Sequence, residues 1–204
     1  MKTAQSVRTL LWTAVILIGG SACRDKLVPD TPDFTEYGWE LWIQGEYAEA
    51  LEQFREGLAI DPTYADTWNG LGWTYIELSI PDTSEDNFIW AIFYGDTTEA
   101  GIEVGTEALA GRAFARLALG EFTTAVTDAK DALGLTPLWI FQRDISLTYE
   151  DLMLTVATGF YGLAEFDSSL VWVKKLDPTF NANVSTLVGR SALAAQLQDL
   201  AAGS

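Results

Sequence analysis

Most of the side chains that could do chemistry here are carboxylates. Asp and Glu number 29 against 12 Lys and Arg, with no histidine and one cysteine. Without histidine, the commonest general base, the usual metal ligand and every Ser-His or Cys-His nucleophile pair are missing. Asp82, Ser84 and Asp86 in "PDTSEDN" alternate oxygen ligands as a calcium loop does, yet that stretch has neither the central glycine nor the closing glutamate of such a loop. It reads as a solvated turn. Glu36 and Glu40 sit at helical spacing on a polar face. A catalytic carboxylate pair needs a cleft that shifts one of the two pKa values, and the spacing implies none. Glycine-rich phosphate motifs, CxxC pairs and G-x-S-x-G are absent. The expectation is a protein with no catalytic residue, no metal site and no cofactor. Arg112 and Arg116, one helical turn apart, could hold an acidic ligand group, but pairing with nearby carboxylates is their default. A net charge of −17 repels phosphate backbones, so nucleic acid is not an expected partner. Such a surface suits basic partners, or simply solubility in a salty medium.

The elements that position these residues emerge from the aromatics. In "WNGLGWTY" (68–75), Trp68, Leu71, Gly72 and Tyr75 follow 34 positions after Phe34, Tyr37, Gly38 and Leu41. The small glycines let two helices approach closely, and the large residues fill the space beside that contact. After Leu41, "QGEYAEALEQFREGLAIDP" places Gly45 at a turn, Ala50 and Phe54 on a second helix, and Pro62 after its end, where proline cannot continue a helix. A pattern of W-x2-L-G-x2-Y at this period resembles the tetratricopeptide repeat. The likeness is strongest over residues 31–64.

Further units follow. The second has a first helix at about 65–78 and a second at about 83–94, with Pro81 standing where a turn residue is expected. The third spans about 106–139 through Gly120, Phe122, Ala125, Ala132 and Pro137, with Arg112 and Arg116 at positions that the signature makes apolar. The fourth, weaker, spans about 150–178. Residues 183–201 suit an amphipathic helix that caps the array. The expected fold is therefore all-α, a tetratricopeptide-type helical-hairpin solenoid over 34–182, closed by a capping helix and tail at 183–204.

In a stack of this kind the first helices line the concave side. The residue after each small glycine or alanine then faces the groove: Trp39, Trp73, Phe114 and Thr158, with Trp42, Ile76, Leu117 and Tyr161 one turn further on. Groove positions in peptide-binding members of the family are usually polar or basic, whereas this stripe is aromatic and aliphatic. Two readings stand. In one, the apolar segments "FIWAIFY" (88–94) and "LWIF" (138–141) fold over the stripe and make it a second core, since leaving large aromatics exposed forgoes about 1.5–3 kcal/mol each. In the other, Trp39, Trp42, Trp73, Phe114, Leu117 and Tyr161 form a groove for an apolar peptide, an acyl chain or a stacked sugar.

The N-terminus carries an address. Lys2 and Arg8 precede the apolar run Leu10–Ile18, and the small residues of "GGSAC" follow. The run is too short for a bilayer, which needs about 20 residues, and reads as a secretory signal over 1–22. Ser21, Ala22 and Cys23 resemble the lipobox of bacterial lipoproteins. That resemblance implies a lipid on Cys23 and a tether over 23–33, extended by its two prolines. It places the chain in the bacterial cell envelope, with the outer membrane preferred because Arg24, not aspartate, follows the cysteine. Tetratricopeptide lipoproteins as a class imply a non-enzymatic scaffold or adaptor, held to the membrane by its lipid, whose partners are other envelope proteins or peptides. The alternative is a binding protein for a small apolar or carbohydrate ligand.

Overall fold

A computed structural model describes residues 28–95 and 99–203. The signal segment and residues 23–27 of the tether, Cys23 among them, lie outside the described residues. Those described form helices α1 (Thr31–Ile43), α2 (Tyr47–Ile60), α3 (Ala65–Glu77), α4 (Pro81–Tyr94), α5 (Glu99–Leu119), α6 (Phe122–Leu135), α7 (Tyr149–Gly162), α8 (Phe166–Leu176) and α9 (Leu187–Gly203). Among them the sole extended pairing is one bridge, Ile140 to Thr148. The fold is all-α, and consecutive helices pair as antiparallel hairpins. The first helices also stack on one another: α1 on α3, α3 on α5 and α5 on α7.

Rings seated in glycine notches hold the first two hairpins together. Phe54 of α2 is fully buried between Gly38 of α1 and Gly70 of α3. A Cβ added at Gly38 would lie 2.6 Å from the Phe54 ring, and one at Gly72 would lie 2.5 Å from Phe88. Phe88 of α4 repeats the device between Gly72 and Gly111. At the helix crossings stand the small residues Ala50, Ser84, Ala125 and Ser169, all fully buried. The two serines donate their hydroxyls to first-helix carbonyls, Ser84 to Gly72 at 2.9 Å and Ser169 to Ala157 at 2.8 Å. Each buried hydroxyl is thus satisfied, as burial demands.

The third hairpin adds charge to its ring contact, that of Phe122 on Gly162 of α7. Arg112 and Arg116 of α5 converge on Asp128 of α6, which is 3% exposed. Arg112 grips it through both carboxylate oxygens at 2.8 Å, and Arg116 also reaches Glu85 of α4 at 2.8 Å. Asp128 supplies the negative charge that lets two arginines stand at positions the repeat makes apolar.

Several boundaries differ from the sequence expectation. Helix α1 begins at Thr31, inside the expected tether, because Asp30 caps it in a reciprocal capping box with Asp33 and a proline opens its first turn. Residues 81–87 start α4 and are not a turn; Pro81 occupies the first turn, where its missing N–H costs nothing, and Ser79 makes the turn at φ 58°. Helix α5 starts at Glu99, well before 106. The cap, α9, starts at Leu187, four positions after 183, because Asn183 and Thr186 bond the turn before it.

Candidate interaction groove

The first helices bring the predicted stripe together along one face, but only part of it is open. Trp39 and Trp42 of α1 are each 5% exposed, and Trp73 of α3 is fully buried. What buries them is the connection between α6 and α7. Where α2 and α3 are joined by residues 61–64, α6 and α7 are joined by 136–148, which we call the strap. Its first part crosses the face with alternating burial, Trp139 and Phe141 inward and Leu138 and Ile140 outward, before turns over 141–147 bring it back to pair Ile140 with Thr148. That alternation is the two-residue period of extended backbone. Phe141 stacks on Trp73 at 4.2 Å between ring centroids and meets Trp42 and Trp39 edge-on at 5.6 and 6.1 Å. Trp139 lies parallel to Trp73 at 6.5 Å.

Polar contacts fix the far end of the strap. The Arg143 guanidinium lies 4.4 Å over the Trp39 ring, donates to Glu107 of α5 at 3.0 Å, and sits 3.5 Å from Asp66 of α3. Asp66 also accepts the Trp39 indole N–H at 3.2 Å, and Asn69 donates to Glu107 at 2.8 Å. Glu107 is 1% exposed. Burial pushes its carboxyl up to about 7, and the negative charges of Asp66 and Glu103 push the same way; Arg143 and the Asn69 hydrogen bond pull against them. No motif in the sequence singled out Glu107, Asp66 or Arg143.

Phe114 and Leu117 of α5 are only half-buried, because the strap leaves this end of the face uncovered. Here Ile76, Ser79, Pro81, Phe114, Ala115 and Ala118 line an apolar recess of about 340 Å³ between α3 and α5. The Phe114 ring abuts Trp73 at 6.1 Å, so the recess continues directly into the covered stripe. Tyr161 is not part of this face. It packs edge-on against Phe166 at 5.2 Å and belongs to the small core beneath α9.

Residues 88–94 do not cover the stripe either. They form the outer helix of their hairpin, burying Phe88 and Ala91 and leaving Trp90 (43% exposed) and Phe93 (70% exposed) on the outside, where Trp90 stacks on Tyr94 at 5.7 Å. Asp82, Ser84 and Asp86 lie in the first turns of α4, and the Ser84 hydroxyl is turned inward to Gly72. Among the described residues no group of three or more His, Cys, Asp or Glu could hold a metal ion, and no helix is long and apolar enough to cross a membrane.

Hairpins stacked through their first helices, with ring-in-notch contacts between them, define a tetratricopeptide-type helical solenoid. The family model described as TPR repeat matches residues 38–79, from the middle of α1 through α2 and α3. No curated protein matches the chain. Among solved structures, it is similar to YrrB, a TPR protein with an unusual peptide-binding site (14% identity, 84% of this chain and 86% of that one, TM-score 0.62). It is also similar to MamA (17%, 80% and 89%, TM-score 0.58) and to the first TPR of Spaghetti (RPAP3) bound to an HSP90 peptide (21%, 66% and 96%, TM-score 0.54). At these identities the likeness is one of fold.

Proposed function

We propose that this chain is a non-enzymatic scaffold or adaptor of the bacterial cell envelope, which grips a protein partner through its helical face. The observation that carries this reading is the recess between α3 and α5. It is apolar, about 340 Å³ in volume, and walled by Ile76, Phe114, Ala115 and Ala118, with room for one or two apolar side chains of a partner segment. Two of the structures it resembles are described by their peptide binding, which supports the same use of the fold. The address rests on the N-terminal sequence: an exported chain, anchored by a lipid on Cys23 and carried to the outer membrane because Arg24 follows that cysteine.

Photo-crosslinking in the native cell tests both parts. A photoreactive residue at Ala118, on the rim of the recess, is expected to give a discrete adduct that Phe114→Asp removes, while one at Glu56 on α2 gives none. Equal labelling from both positions, or adducts indifferent to Phe114→Asp, would overturn the recess as the binding face. Cys23→Ser is expected to abolish incorporation of a clickable fatty acid and release the protein from the membrane fraction; unchanged labelling would overturn the anchor.

A further inference from the structure

The strap behaves as an occupant of the groove more than as part of its wall. Among the described residues its backbone hydrogen bonds are local. Phe141 N–H donates to Leu147, Tyr149 N–H to Trp139 and Trp139 N–H to Thr136, and none goes to α1, α3 or α5. What holds it on the face is side chains at alternate positions: Trp139, Phe141 and Arg143. Over 138–143 this is how an extended peptide sits in a groove, with every second side chain turned inward, while the rest of the strap turns and pairs back on itself at Ile140 and Thr148.

Two features show that the fit is incomplete. Among the described residues five buried side-chain polar atoms have no partner: Nε1 of Trp42, Trp73 and Trp139, Oδ1 of Asp66 and Oδ1 of Asn69. All lie in or directly beneath the contact between strap and face. Buried polar groups are ordinarily satisfied, so their gathering here marks an interface less settled than the ring-in-notch core. The charges are also unbalanced. Asp66 and Glu107 share the guanidinium of Arg143, and Glu103 adds a further negative charge beside Glu107. A cavity of about 340 Å³ flanks the strap between Glu103, Thr106 and Glu107 of α5 and Leu138 and Trp139, so on that side, among the described residues, α5 holds the strap only through Thr106 on Thr136 and Glu107 on Arg143.

From these observations we infer that the strap is an internal stand-in for a partner segment. The groove receives in its place an extended stretch bearing two aromatic side chains and then an arginine or lysine at alternate positions. The aromatics take the places of Trp139 and Phe141 against Trp73, Trp42 and Trp39, and the cation replaces Arg143 between Asp66 and Glu107. The open recess at Phe114 is where such a segment first engages, since it runs into the covered stripe at Trp73. A net charge of −17 favours a basic partner. This inference rests on the scaffold reading above and assigns the chemistry of the partner.

The strap's own sequence is the probe. A fluorescent peptide, TPLWIFQRDISL (residues 136–147), is titrated against the full-length wild-type chain and against a W139S/F141S variant whose strap has lost its anchors. The variant is expected to bind the peptide at least tenfold more tightly than wild type, and the same peptide carrying R143E is expected to bind the variant at least tenfold more weakly. Arg143→Gln, which keeps both aromatics, guards against a failure of the double variant to fold and is expected to give a smaller gain over wild type. Equal affinity of the peptide for wild type and for every folded variant overturns the inference, as does indifference to R143E. A loosened variant that dimerises without binding peptide also overturns it, assigning the groove to a strap from a second copy. Crosslinking at Ala118 that survives any of these failures leaves the scaffold reading standing and removes only the exchange.

Discussion

The two halves of the helical face are built by different means. On the half formed by α1 and α3, the groove tryptophans Trp39, Trp42 and Trp73 are buried, and the helices behind them are locked by Phe54 and Phe88 in glycine notches. On the half formed by α5, Phe114 and Leu117 stand half-open, and behind them Arg112 and Arg116 pair with Asp128 of α6. The α5 half keeps a ring in a notch too, Phe88 at Gly111, but adds the buried charge of Asp128. The closed half is core by energetics even though it occupies a groove by topology; the open half is surface.

That difference can be broken first at its aromatic centre. Trp73→Ala is expected to cost about 3–5 kcal/mol, the range for emptying a fully buried large site, whereas Phe114→Ala should cost under about 2. Denaturant unfolding of the two variants checks this, and equal costs would mean that the halves are alike. Asp128→Asn should cost about 3 kcal/mol, because two arginines lose the charge that pairs them in a half-buried setting.

A third test uses proton linkage at the strap's anchor. The Glu107 carboxyl is held up to about 7 in the fold, above the ordinary carboxylate value near 4.3. The native state therefore binds the proton more tightly than the unfolded chain does. The stability this gives is full below about pH 4.3 and is lost as pH rises through about 7. The groups facing Glu107 are Arg143, Asp66, Asn69 and Glu103. Unfolding free energy measured from pH 5 to 8 should fall more steeply for wild type than for Glu107→Gln; parallel curves would contradict the assignment.

The smallest expected effect lies in the turns. The first and third hairpins turn on Gly45 and Gly120, with positive φ, and the second and fourth on Ser79 and Ala164 at φ 58° and 61°. Side chains rarely adopt that region, so Ala164→Gly should stabilise the fourth hairpin by about 0.5–1 kcal/mol, read as a rise in Tm. No rise would show that its turn is not strained.

Much of this was legible in the sequence, and the gaps have local causes. The first hairpin was readable because glycine, phenylalanine and alanine recur at one spacing and each has one geometric task. The fourth unit, though degenerate, keeps Ser169 where Ala50 stands, and its hydroxyl finds the carbonyl that makes the exchange workable. "LWIF" and "FIWAIFY" looked alike as apolar runs, yet only the first crosses the groove. The second has a helical register that buries Phe88 and turns Trp90 and Phe93 outward, a choice made by the pairing of α3 with α4. Arg112 and Arg116 were visible, but Asp128, which makes them tolerable, lies on another helix. Glu107 carried no sequence signal at all, because its partners Asn69 and Arg143 are 38 and 36 positions away.

The central claim is that residues 136–148 occupy the groove by stacking Phe141 on Trp73, and a double-mutant cycle reads that contact directly. Trp73→Leu and Phe141→Leu, singly and together, are compared by denaturant unfolding. The account predicts a coupling energy of about 0.5–1.5 kcal/mol or more, as for aromatic pairs in contact. Additivity within about 0.3 kcal/mol would mean that the strap does not lie on Trp73, and would contradict the account.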